Sequence, residues 1–169
     1  MSSTMSFNAN LWLAALSGII GIIALIVVMY IFRLFGSKVD FIQILGSIFK
    51  DPSEKAGVFT VGLGLMILYG AFWGFYYVTL MLGLSQQPSI PFGLIFGFAQ
   101  GLFTGVMLGT LKEYHPHYGE GKTFPDPGMF GTKWGLSTIF FVVILNLVFA
   151  VVTMYAYLHL YGNQLLPIL

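Results

Sequence analysis

The stretch PFGLIFGFAQGLFTGVMLGT, residues 91–110, decides the fold. Gly93, Gly97, Gly101, Gly105 and Gly109 occupy every fourth position in it. A water-soluble helix loses about 1 kcal/mol at each interior glycine relative to alanine. Inside a bilayer the balance is different. Helices there gain little from the hydrophobic effect against one another, and small residues that let backbones touch drive their association. The ladder therefore reads as the packing spine of a membrane protein, and its helix is expected to be the most buried of the molecule.

Composition agrees. The chain is 57% hydrophobic and 8% charged, against about 25% charged in a typical soluble domain. Its 169 residues leave room for one membrane domain, 1–169, and no separate soluble module. With no cysteine, disulfides, Cys-ligated metals and thiol nucleophiles are excluded. Apolar runs long enough to cross the hydrocarbon fall at about 11–35, 57–83, 90–111 and 134–160. The expected fold class is an all-α membrane protein, with four spans arranged as two helical hairpins. Asn10 suits the N-cap of the first span, and Trp12 an aromatic belt. No Lys or Arg precedes Asn10, so a cleaved signal peptide is not expected.

Small residues also mark the other spans. Ala14, Ser17, Gly21 and Ala24 form a stripe on the first, with Gly18 beside it. Gly70-x-x-x-Gly74 makes a close-contact motif on the second.

Between these spans, VDFIQILGSIFK (39–50) has helical periodicity. Phe41, Ile42, Leu45, Ile48 and Phe49 share one side; Asp40, Gln43, Ser47 and Lys50 share the other. Ser37 with Asp40 resembles a capping box, and Asp51-Pro52 ends the segment. A short amphipathic helix lying in the headgroup plane is expected, the alternative being one folded over the end of the bundle.

All seven Lys and Arg residues and all six Asp and Glu residues lie in or beside the two long connectors. By the positive-inside rule both connectors are cytoplasmic and both termini outside, which places the chain in a plasma (inner) membrane. The two halves share an outline: span, connector with one Asp-Pro, Lys-x-Gly, span. This suggests a parallel repeat.

Two groups of residues bear chemistry. Gln100, Asn146 and Tyr69 lie near the middle of three spans and at similar depth. Polar groups in hydrocarbon need partners, so these read as an interhelical hydrogen-bond set or as part of a solute site. The connector KEYHPHYGEGKTFPDPGMFGTK (112–133) holds Glu113, His115, His117, Glu120 and Asp126. Fully extended, Glu113, His115 and His117 would point one way and offer divalent-metal ligands. A structured loop built on Pro116, Pro125 and Pro127 explains the same composition without a metal. No metal or other cofactor is expected, and the loop is expected to be ordered and docked on 39–50 or on a partner.

DFIQILGSIF after the first span, the glycine-spaced third span and the His-Pro loop ending in PDPGMFG resemble small four-helix bacterial membrane proteins classed as domains of unknown function. That resemblance implies a fold and no activity.

The leading functional expectation is a non-enzymatic accessory subunit of a larger membrane complex, respiratory or photosynthetic, because the small-residue stripes exceed what one bundle needs. Partners are then the bilayer and other membrane subunits or further copies of the chain, with no nucleic acid. The alternatives are a transporter or channel for a small uncharged solute, and a membrane enzyme or metal site at the 112–133 loop.

Overall fold

The computed structural model describes residues 10–84 and 86–165. The polar stretch before Asn10, Ser85 of the short turn and the end of the tail lie outside them. The described residues fold into α1 (Leu11–Leu34), α2 (Phe41–Phe49), α3 (Lys55–Gly83), α4 (Ile90–Tyr114) and α5 (Ser137–Leu165), with a 3-10 segment at Met129–Trp134. The fold is all-α, and α1, α3, α4 and α5 are each long and apolar enough to cross a membrane.

Local chemistry sets the boundaries. The Asn10 side chain accepts from the Leu13 amide at 3.3 Å and caps α1. Gly36, in the left-handed region at φ +88°, ends that helix. Ser89 precedes α4 without a side-chain capping bond. Against the expected spans, α3 begins at Lys55 rather than 57 and α5 runs to Leu165 rather than 160, and two further ends have a local cause. α4 continues past 111 to Tyr114 because extension is imposed only at His115, the residue before Pro116. The last span begins at Ser137 rather than 134, because Gly135 takes a φ of +134° that breaks the backbone between Trp134 and the helix.

α1 packs on α3, α4 packs on α5, and α1 packs on α5, so the spans form an arc in the order α3, α1, α5, α4. The ends of the arc, α3 and α4, barely touch. This corrects the expectation for the glycine-ladder helix. In the most apolar stretch of each span, 39% of residues are buried in α1 and 44% in α5, but only 28% in α3 and in α4. A glycine ladder brings one side of a helix close to its neighbour. The other side of α4 carries Leu94, Ile95, Phe98 and Phe103, all exposed.

Glycine sets the close contacts, each reported by where a Cβ would fall. At Gly70 it would stand 2.7 Å from the Gly18 carbonyl oxygen, and at Gly74 2.7 Å from Gly18 Cα. Gly21 faces Phe149 and Thr153 of α5. The ladder on α4 divides. Gly93, Gly97 and Gly101 lie against Met154, Ala150 and Val143 of α5. Gly105 and Gly109 lie against Phe130 and Met129 of the 3-10 segment, each within 2.7 Å of a side-chain carbon. The connector thus dips back alongside α4, about 14 Å from the end of that helix at Tyr114. Irregular backbone at such depth is tolerated where protein buries it.

The short helix α2 packs against α3. Its contact side differs from the one its bulky apolar residues suggested. Gly46 lies against the Val58 carbonyl and Gly62 against the Ile42 carbonyl. Contact therefore centres on the residue with no side chain, and Ser47, assigned to the polar side, is fully buried. The Ser47 hydroxyl donates to the Gln43 carbonyl at 2.6 Å. Asp40, not Ser37, caps the helix by accepting from the Gln43 amide at 2.9 Å, and an ion pair with Arg33 ties that cap to the end of α1.

A repeat would relate α1 to α4 and α3 to α5, making α1·α5 and α3·α4 equivalent contacts. One is closely packed and the other is open.

Candidate functional site

The open side of the arc is a cleft. Gln100 spans it on the side towards the α3–α4 turn. The Tyr77 hydroxyl donates to Gln100 Oε1, and Gln100 Nε2 donates to the Tyr69 hydroxyl at 2.8 Å. An amide with no polar partner in hydrocarbon costs several kcal/mol, so this bond pair fixes the separation of two helices that otherwise hardly meet. Gln100 is 3% exposed. Tyr77, fully buried, completes the bridge. Sequence reasoning missed it because it sits in the aromatic run Phe72, Trp73, Phe75, Tyr76, where a phenol is hard to tell from packing rings.

Between this bridge and α2 lies a cavity of about 350 Å³. Met66 and Tyr69 of α3 form one wall, and Phe103, Met107 and Leu111 of α4 the other. Leu25 of α1 and Asn146 of α5 line its depth, and Phe41, Ile44, Leu45 and Ile48 of α2 close its end. Phe41, Leu45 and Ile48 of the apolar side of α2 thus line this space. Among the described residues no Asp, Glu, Lys, Arg or His lines the cavity.

Asn146 is 2% exposed. Its Nδ2 donates to the Val142 carbonyl at 2.9 Å, and its Oδ1 faces the Thr104 hydroxyl at 3.4 Å. Gln100 and Asn146 both face protein, and Gln100 bonds to another helix through Tyr69, as the sequence implied. They belong to two adjoining sets, one at the bridge and one at the inner wall.

The 112–133 connector is ordered and docks on α2. His115 is buried, and its Nε2 lies 2.8 Å from the Ile44 carbonyl. Its Nδ1 accepts from the His117 amide at 3.1 Å, which assigns the proton to Nε2 and makes the ring a neutral strut between loop and helix. Burial pushes the pKa of His115 down, and nearby His117 and Lys122 push the same way; the Ile44 carbonyl opposes them. Lys122, which sequence reasoning did not single out, donates to the Lys112 and His115 carbonyls at 3.0 and 2.8 Å and so caps the end of α4. Asp126 pairs with Lys133 and accepts from the Gly128 amide at 2.8 Å. The Lys133 ammonium and that amide hold its carboxyl below the usual range.

These bonds disperse the proposed ligand group. Glu113 remains helical, exposed beside Lys112 at 3.6 Å. His115 points to Ile44, Asp126 to Lys133, and Glu120 is exposed. Among the described residues no three His, Asp or Glu side chains converge as metal ligands. The glycine face of α4 is covered by α5 and the 3-10 segment.

The fold and site together define an all-α protein with four membrane-length helices and a lateral apolar cleft. No family model, curated protein or solved structure matches the chain.

Proposed function

We propose that this chain is a non-catalytic membrane protein that holds a long-chain apolar molecule in the cleft between α3 and α4. The observation that carries this is the cavity of about 350 Å³, walled by aliphatic, aromatic and methionine side chains and propped by the Gln100 bridge. A packed protein interior loses dispersion contacts wherever space stands empty. In a bilayer, the material at hand to fill such a space is hydrocarbon.

The connectors are cytoplasmic in this proposal and the opposite end of the bundle faces outward across the inner membrane, because every Lys and Arg gathers at the connector end. A helix of another subunit is the second occupant of suitable shape, which attaches the accessory-subunit expectation to the cleft. The glycine stripes no longer support it, since Gly18, Gly21, Gly70, Gly74 and the α4 ladder all meet neighbours within the chain.

The test is native mass spectrometry of protein extracted from its own membranes in mild detergent. A retained lipid-mass adduct is expected, and Leu45→Trp, which places an indole in the cavity, should lose it. Equal adduct in the variant, or none in the natural chain, overturns the proposal. A stoichiometric polypeptide in place of lipid would establish the subunit alternative.

A further inference from the structure

The connector end of the bundle carries a second recess, polar where the cleft is apolar. It measures about 580 Å³ and is walled by Lys38 of the α1–α2 link, the 119–123 turn, Asp126, Lys133 and Trp134. Three ammonium groups, those of Lys38, Lys122 and Lys133, face the carboxylates of Glu120 and Asp126, which leaves one positive charge. Asp126 is committed to Lys133 and to the Gly128 amide. Neither Lys38 nor Lys122 pairs with a carboxylate among the described residues. Lys122 donates to two carbonyls, and an ammonium has three hydrogens, so one is left for a ligand. The backbone of Lys38 is held from both sides. The Ser37 hydroxyl accepts from the Val39 amide at 3.2 Å, and Val39 is fully buried. The fold thus places both cations before any ligand arrives, which lowers the cost of binding.

The recess lies where two of the membrane-length helices end. Lys38 stands four residues beyond α1, and Lys133 and Trp134 come just before α5. The rings of Phe32 and Phe141 lie 4.6 Å apart, which sets those two helix ends side by side. Next to the charges along the chain are exposed apolar side chains, Leu34 and Phe35 on one side and Leu136 on the other. The ends of a bilayer-crossing helix stand at the headgroup level, where tryptophan is also at home. An occupant of the recess therefore meets ammonium groups at one end and hydrocarbon at the other. We propose that this recess binds the headgroup of an anionic phospholipid, a phosphodiester with one negative charge, against Lys38 and Lys122. The single net positive charge of the lining matches a monoanion. A second negative charge on the ligand, as on a phosphomonoester, would meet Glu120. Basic recesses at the ends of membrane helices hold lipid headgroups by this chemistry. The site is separate from the cleft, and its occupant is selected by charge.

The test titrates the purified full chain in detergent micelles with phosphatidylglycerol and, separately, with phosphatidylcholine of the same acyl chains. Occupancy is read by native mass spectrometry, with inorganic phosphate added as a competitor. Phosphatidylglycerol should bind tighter. Lys38→Gln should weaken it about fivefold, the share of one lysine beside an anionic lipid, and leave phosphatidylcholine unchanged. Lys55→Gln removes the same charge from an exposed residue outside the recess and should change nothing. Leu45→Trp, which fills the cleft, should leave the phosphatidylglycerol preference intact, so the two sites are counted separately. Equal binding of the two lipids by the natural chain, or equal weakening by Lys38→Gln and Lys55→Gln, overturns the inference and leaves the cleft reading standing. Displacement of the lipid by inorganic phosphate would assign the recess to a soluble phosphate and overturn it as a lipid site.

Discussion

Gly97 and Gly64 are both interior helix glycines with opposite surroundings. A Cβ on Gly97 would fall 2.5 Å from Ala150 Cβ, whereas one on Gly64 meets nothing within 4 Å. Gly97→Ala should therefore destabilise by about 1–3 kcal/mol through overpacking. Gly64→Ala should be neutral or stabilising by up to about 1 kcal/mol. Thermal unfolding of both variants in one detergent checks the contrast; equal shifts would contradict the assignment of contacts. His115 and Asp126 make a second expectation. Both have folded-state pKa values below their ordinary ones, so both contribute stability above the unfolded-state value and lose it as the pH falls through the folded one. Acidification should loosen the loop in two stages, the first beginning below about 6.5 and the second below about 4. His115→Gln, which can still donate to Ile44, should remove the first stage only, as followed by amide exchange of residues 115–126. At this scale the sequence was legible wherever burial of a polar group forces a partner, as for Gln100 and Asn146. It was silent on Lys122, whose role depends on a loop returning to the helix end.

Among the elements, the spans were legible from length and hydropathy, and the faces were not. In α2 the bulky apolar residues suggested the contact side, but close approach is set by the smallest residue, Gly46. Gly46→Val should push α2 off α3, because the first atom met is the backbone carbonyl of Val58, which cannot rotate away. The expected result is faster exchange of the α2 amides with the four spans still folded; unchanged exchange would place α2 elsewhere. The α4 ladder makes the same point. Spacing by four announces a flat side without saying what lies on it, and two of its five glycines seat Phe130 and Met129. Phe130 holds φ +54° there, a left-handed conformation uncommon for a bulky residue, stabilised by the fit of its ring on Gly105.

For the whole molecule, the orientation has a direct check. In sealed cells, an impermeant thiol reagent should label a cysteine at Gln86 and spare one at Lys122; the reverse would invert the topology. The cleft was invisible in the sequence because an absent contact leaves no pattern, and the short α3–α4 turn suggested neighbours packed along their length. The arc also fixes an order of completion. The pair sharing its centre, α1 and α5, are the first and last of the four spans to leave the ribosome. Gly21 must wait, uncovered, for Phe149 and Thr153. Translation therefore carries the chain into the bilayer with its middle unfinished, and the centre of the arc closes only when α5 arrives.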